Sequence, residues 1–209
     1  GEWIPNKNGG RENLEAIKFI QNVNFQVTRQ YPGAIMIAEE STAWPKVTSP
    51  LSDEGLGFSL KWNMGWMHDN LSFFKQSSDY RKSHFDKMTF SMLYHYDENF
   101  VLPLSHDEVV HIKGSLFKKM QGTELECLAN LRLLFGCQWL FPGKKLLFMG
   151  GEIGQKNEWN HDCELDWQLV TEKIPTKVTA TDSSKIRLIK ISFLKPTFLM
   201  SNDLYTFYA

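Results

Sequence analysis

The sequence predicts an α/β fold in which short parallel strands alternate with helices. Three observations predict it. Apolar runs over residues 34–38, 57–60, 100–104 and 145–149 each lead directly into a polar cluster. Stretches with helical character stand before the first run and between later ones. The first run is apolar without alternation, as a strand covered on both faces is. Strands alternating with helices pair in parallel through right-handed crossovers, so polar side chains gather at the strands' carboxyl ends. Four such strands amount to half of a (β/α)8 barrel, whose active site lies on that face. A flavodoxin-like open sheet is the structural rival. Periodicity alone does not exclude it, although no glycine-rich phosphate loop follows any strand.

The elements follow in chain order. After Gly9-Gly10, a helix is predicted from Ala16, Ile20, Val23 and Val27, with Ile17 widening the stripe. Tyr31-Pro32-Gly33 ends it, because proline disfavours helix in the residue before it and glycine permits the turn. The first strand, 34–38, leads to Glu39-Glu40-Ser41-Thr42. The second, 57–60, leads to Lys61-Trp62-Asn63, and residues 66–75 form a helix. The third, 100–104, leads to Ser105-His106-Asp107-Glu108. Pro103 is expected near that strand's end, since proline cannot donate to a central ladder. Residues 124–140 form a mostly buried helix closed by Phe141-Pro142-Gly143, and the fourth strand, 145–149, leads to Gly150-Gly151-Glu152.

The 209 residues suit one sizeable domain, and 42% hydrophobic with 22% charged residues argues against disorder. A net charge of −1 leaves no electrostatic footprint for nucleic acid or an anionic membrane. The most apolar stretch, 131–141, is interrupted by Arg132, Gly136 and Gln138 and is too short to span a bilayer. Cys127, Cys137 and Cys163 form no CxxC pair. An odd count with no signal peptide points to a reducing cytoplasm. The chain opens at Gly1 with no methionine and reads as the middle of a longer protein.

Glu39, one residue past an apolar strand, sits where a carboxyl can be partly desolvated, which raises its pKa as an acid catalyst requires. Asp107 holds the corresponding place on a later strand. Two carboxyls at strand ends could flank one bond, the usual equipment for cleaving a glycosidic linkage. The alternative for each is a solvated loop acid or a helix cap. His106-Asp107-Glu108-Val109-Val110-His111 superficially resembles a zinc-protease motif. On a helix, however, histidines five apart would diverge by about 140°, so no metal site is expected. Trp44, Trp62, Trp66 and Trp159 lie in or near the polar clusters and could stack on sugar rings or pack in a core. No Ser–His–Asp arrangement is readable.

Several strings resemble the bacterial 1,4-α-glucan (glycogen) branching enzymes of the α-amylase superfamily. They are Ala38-Glu39-Glu40-Ser41-Thr42, the stretch from Lys61 to Asp69 (KWNMGWMHD), that from Leu102 to His111 (LPLSHDEVVH) and that from Phe141 to Gly150. Gly9-Gly10-Arg11-Glu12-Asn13-Leu14-Glu15 and Glu158-Trp159-Asn160-His161 fit too. The resemblance covers about residues 1–170, a partial catalytic domain, and fades over 171–209 to a weak helical echo of the same domain. It implies the second half, strands five to eight, of a (β/α)8 barrel. The implied reaction cleaves an α-1,4 bond in a glucan and transfers the segment to a 6-hydroxyl, forming α-1,6 branches in glycogen by a retaining double displacement. The resemblance maps the acid/base to Glu39, the transition-state-stabilising aspartate to Asp107, and substrate binding to His106, with Trp62 and Asn63 beside it. Glu39 is preferred to Glu40 because a small residue, Ala38, precedes it.

The partner implied is α-1,4-glucan, with no cofactor, metal, nucleic acid or membrane, and with the N-terminal half of the barrel to be supplied from elsewhere. The nucleophilic aspartate of the family, at the end of the fourth strand, has no counterpart in this chain. The chain is therefore expected to be inactive alone and, with exposed strand edges, to aggregate, self-associate or stay partly molten. The alternatives are a hydrolytic α-glucan enzyme of the same superfamily and a non-catalytic glucan-binding remnant. Two departures stand out. The family pattern His-Gly-Lys-x-Ser is here His111-Ile112-Lys113-Gly114-Ser115, and Gly151 replaces an asparagine after the last strand.

Overall fold

The computed structural model describes residues 3–171. The domain segment 171–209, apart from its first residue, lies outside that range. Helix α1 spans Leu14–Gln30. It starts at Asn13, whose side chain accepts a hydrogen bond from the Ala16 N–H (2.9 Å) and satisfies one orphan donor of the first turn. It ends at Tyr31, and the Ala34 N–H donates to the Tyr31 carbonyl across the Pro32-Gly33 turn. Ile17, Ile20, Val23 and Val27 are half-buried as predicted, but Ala16 is exposed. The centre of the packed face is instead Asn24, whose amide donates to the Leu56 carbonyl at 2.8 Å.

Strands β1 (Ile37–Ala38), β2 (Leu60–Trp62), β3 (Phe100–Leu104) and β4 (Lys144–Leu147) form one sheet in the order β1-β2-β3-β4. The β1–β2 pair is parallel, with Ile37 opposite Leu60, and so is β2–β3, with Lys61 opposite Phe100. A flavodoxin-like sheet has the order 2-1-3-4-5. This one runs sequentially, an order compatible with neighbouring staves of a barrel.

Burial follows position in the sheet. All residues of β3 after Phe100 are buried, including Pro103, the last but one, while the outer strands β1 and β4 are largely half-buried. The predicted first strand shrinks to two residues, and residues 35–37 are only half-buried, so it is not fully covered on both faces. The second strand starts later than predicted and takes in Lys61 and Trp62.

Helix α2 (Met64–Phe74) follows β2, and short helices α3 (Ser78–Lys82) and α4 (Asp86–Thr89) follow it. Helix α5 (Glu124–Leu140) has the predicted bounds. Thr123 and Glu126 form a reciprocal capping box at its start. Its burial is one-sided rather than general. Cys127, Leu131, Leu134, Phe135 and Gln138 are buried, whereas Leu125, Leu133, Trp139 and Leu140 are exposed. A one-turn helix, α6 (Gln168–Thr171), closes the described chain. No helix among the described residues is long and apolar enough to cross a membrane.

The chain divides into two compact units. One takes in the described chain up to Trp66, with Thr89–Leu102 and Pro142–Lys144. The other takes in Met67–Met88, Pro103–Phe141 and the described chain from Lys145.

Candidate active site

In the first unit, Glu39 follows β1 and is exposed, making no hydrogen bond among the described residues. Its expected desolvation is not met, since a two-residue edge strand gives it little cover. Glu40 behaves differently. Its carboxylate accepts hydrogen bonds from Thr42, which hold its pKa below the usual glutamate value against a smaller opposing effect of burial, with Lys61 adding to the depression. Lys61, buried within β2, donates from Nζ to the carbonyls of Thr42 (3.1 Å) and Trp44 (3.4 Å), so a buried cation ties down the segment after β1. That segment is tied again at Glu98, whose carboxylate accepts the N–H groups of Val47 and Thr48, each at 2.7 Å.

Asn63 stands directly past β2 and is 2% exposed. Its Oδ1 accepts from the Trp66 N–H (2.8 Å), capping α2, and from the Tyr94 hydroxyl (3.4 Å). The Trp66 N–H can only donate and so fixes which end of the amide is oxygen. The Nδ2 donor is left buried without a partner among the described residues. Trp62 and Trp44 are half-buried, whereas Trp66 is 1% exposed and belongs to the core.

In the second unit, residues His106–Glu108 form a 3-10 turn rather than an α-helix. Ser105 accepts the Asp107 N–H at its Oγ (3.3 Å) and so sets that turn. His106 Nε2 lies 3.2 Å from Asp107 Oδ1, with the two side chains 54% and 39% exposed. The His106 ring packs against Phe148 (5.8 Å between centroids), and Phe148 meets Trp159 edge to face (5.2 Å). An aromatic wall built from the segment after β4 thus backs the imidazole.

The loop after Asp107 is clamped in a way the sequence did not disclose. Glu158 accepts the N–H groups of Ile112 (2.9 Å) and Gly114 (2.6 Å). These two bonds, the Gly114 one first, hold the Glu158 pKa below the usual value. Trp159 donates its N–H to the Val109 carbonyl (3.1 Å), and Ser115 Oγ donates to the Lys156 carbonyl (2.9 Å). Buried Lys119 donates to the carbonyls of Lys113 (2.6 Å) and Gly114 (3.1 Å), and burial pushes its pKa down. Within this clamp His111 and Ile112 hold left-handed backbones, with φ of 56° and 69°.

Past the carboxyl ends of parallel strands, then, stand two candidate carboxyls, a histidine and partly open tryptophans. The class so defined is an α/β protein with a parallel sheet and polar and aromatic side chains past its strand ends. No family model matches the chain. Among curated proteins it is 62% identical, over 79% of its length, to the 1,4-alpha-glucan branching enzyme GlgB of Albidiferax ferrireducens. The proteins of that name from Cereibacter sphaeroides (59% over 82%) and Myxococcus xanthus (60% over 81%) are similarly close. The resemblance to bacterial branching enzymes seen in the sequence motifs is therefore borne out over four-fifths of the chain. The chain spans about a quarter of the length of these relatives.

Proposed function

We propose that the chain serves a 1,4-α-glucan branching enzyme as strands five to eight of its catalytic barrel, and that α-1,4-glucan is its substrate. The observation that carries this is an identity of about 60% to several branching enzymes along four-fifths of the chain. In this reading Glu39 protonates the glycosidic oxygen as the bond to C1 breaks. A nucleophilic aspartate outside this chain takes C1 as a glycosyl ester, and Asp107 stabilises the positive charge that develops on the sugar. Glu39 then removes the proton of an incoming 6-hydroxyl as that oxygen attacks C1 and frees the aspartate. His106 donates to sugar hydroxyls and Trp62 offers a face to a ring, while buried Asn63 acts from beneath by capping α2 at the Trp66 N–H.

Supporting Glu39 over its neighbour, the Glu40 carboxylate is held ionised by Thr42 and is poorly placed to give up a proton. Supporting His106 and Asp107, the two lie in contact, partly open and backed by Phe148.

The test is an amylose–iodine assay on two proteins. One is the 209-residue chain. The other is the Albidiferax relative with its matching segment replaced by this one. The chain alone leaves the iodine colour unchanged. The chimaera lowers it without releasing reducing ends, and Glu39→Gln reduces its turnover by about 10²–10⁴-fold. Rapid release of reducing ends would mean a hydrolase. A folded but inactive chimaera would mean a glucan-binding remnant. Loss of turnover in Glu40→Gln but not in Glu39→Gln would move the acid by one residue.

A further inference from the structure

Lys61 is 5% exposed and stands within β2, a place where packing alone would select an apolar side chain. Taking an ammonium out of water is costly unless new hydrogen bonds replace the lost ones. Lys61 makes two, from Nζ to the carbonyls of Thr42 (3.1 Å) and Trp44 (3.4 Å). Its backbone lies opposite Ala38 in the β1–β2 ladder. A single residue therefore holds both ends of a short stretch, Ala38 beside its stem and Thr42 at its head. Between those two points lie Glu39, Glu40 and Ser41.

Thr42 carries the restraint inward. Its carbonyl takes the Lys61 ammonium, its N–H donates to the Glu40 carboxylate, and its Oγ1 accepts the Trp44 N–H (3.2 Å). Glu39 is thus carried on backbone held from both sides, beside a neighbour whose carboxylate is already bound. A general acid acts only within about 2.6–3.2 Å of the oxygen it protonates, so the placement of this backbone governs what Glu39 can reach. Glu98 anchors the same segment further along, at the N–H groups of Val47 and Thr48.

We propose that Lys61 is a positioning residue for Glu39: it bridges the turn that carries the acid, from Ala38 to Thr42, and touches no sugar itself. This role rests on the acid/base assignment of Glu39 above. Because Lys61 is buried, its loss leaves glucan binding alone and falls on the proton transfer, where a displacement of about 1 Å can cost about 10²-fold.

The experiment measures kcat and KM for amylose in the chimaera described above and in its Lys61→Met and Glu98→Gln variants. Methionine is unbranched and apolar, so it fills the strand site without supplying a donor. Lys61→Met is expected to lower kcat about 10–100-fold with KM and the far-ultraviolet circular dichroism unchanged, the mark of an interaction used only in the transition state. Glu98→Gln is expected to lower the urea midpoint and leave kcat unchanged, because Lys61 still fixes Thr42. Should Lys61→Met not fold, Lys61→Gln, whose neutral amide can still donate to one carbonyl, takes its place with the same expectations. Full turnover in the folded Lys61 variant would overturn the proposal. So would a KM that rises in step with the loss of kcat, or an equal loss of kcat in Glu98→Gln. Each of these leaves the branching reading standing, whereas a parent chimaera that does not branch amylose would overturn that reading and the role of Lys61 with it.

Discussion

Ile112 is the residue whose replacement tests the loop geometry most directly. Its φ of 69° lies in the left-handed region, where a Cβ crowds the following carbonyl and costs about 1–2 kcal/mol. A β-branched side chain is a conformational outlier there. The side chain is 98% exposed, so its removal forfeits no buried apolar surface. Its N–H bond to Glu158 is a backbone bond and survives substitution. Ile112→Gly therefore relieves most of the strain and loses about 0.4–1 kcal/mol to the greater freedom of glycine in the unfolded chain. The net expectation is a gain of about 1 kcal/mol, or roughly 2–4 °C in melting temperature for a chain of this size. Parent, Ile112→Gly and Ile112→Ala are compared by thermal and urea unfolding at one low protein concentration. Alanine keeps the Cβ, so its effect should stay within about 0.5 kcal/mol of the parent. A glycine variant no more stable than the parent, or an alanine variant that matches its gain, would refute the attribution to left-handed strain.

Thr123→Ala removes the side-chain half of the α5 capping box and should lower stability by about 1 kcal/mol in the same unfolding assay. Glu158→Ala should speed amide hydrogen exchange at Ile112 and Gly114 while leaving the β3 amides protected. In the parent, the folded Glu158 pKa is depressed, so the clamp's contribution is complete above the ordinary glutamate value of 4.5 and is lost as pH falls through the lower folded value. Exchange at those two amides, followed by NMR down the pH scale, should thus accelerate only below the ordinary glutamate range. Leu133→Lys/Leu140→Lys, on the exposed side of α5, should reduce self-association in sedimentation without shifting the far-ultraviolet circular dichroism.

The order of elements was legible because punctuation and periodicity are local. The Tyr31-Pro32-Gly33 and Phe141-Pro142-Gly143 stops mark the ends of α1 and α5, whereas the caps at Asn13 and Thr123 emerge from the structure. Strand limits were less legible because pairing is not local. The pattern over 34–38 says apolar, but the ladder with β2 takes in only Ile37–Ala38. In sequence, Lys61 opens the polar cluster Lys61-Trp62-Asn63. Its ammonium finds two carbonyls 17 and 19 residues away, and that lets it lie buried in the strand. Glu158 stands within the Glu158-Trp159-Asn160-His161 motif, but its partners lie 44 and 46 residues earlier, beyond any spacing rule. The burial of Asn63 and Trp66 likewise depends on which face of α2 packs inward, a matter the KWNMGW string leaves open.

The charged groups near the strand ends divide by what they are bound to. Lys61, Glu98, Lys119 and Glu158 each hold two or more backbone groups of a neighbouring loop, and Glu40 is turned back onto Thr42. A group so committed cannot change its protonation or partner without releasing the loop, so it makes a good strut and a poor catalyst. Glu39 carries no such bond among the described residues, and Asp107 contacts the partly open His106. Consecutive residues at a strand end face opposite ways, so one carboxyl of the Glu39-Glu40 pair can serve the turn while the other stays available. Thr42 decides which: by binding Glu40, it leaves Glu39 as the carboxyl with no hydrogen bond among the described residues.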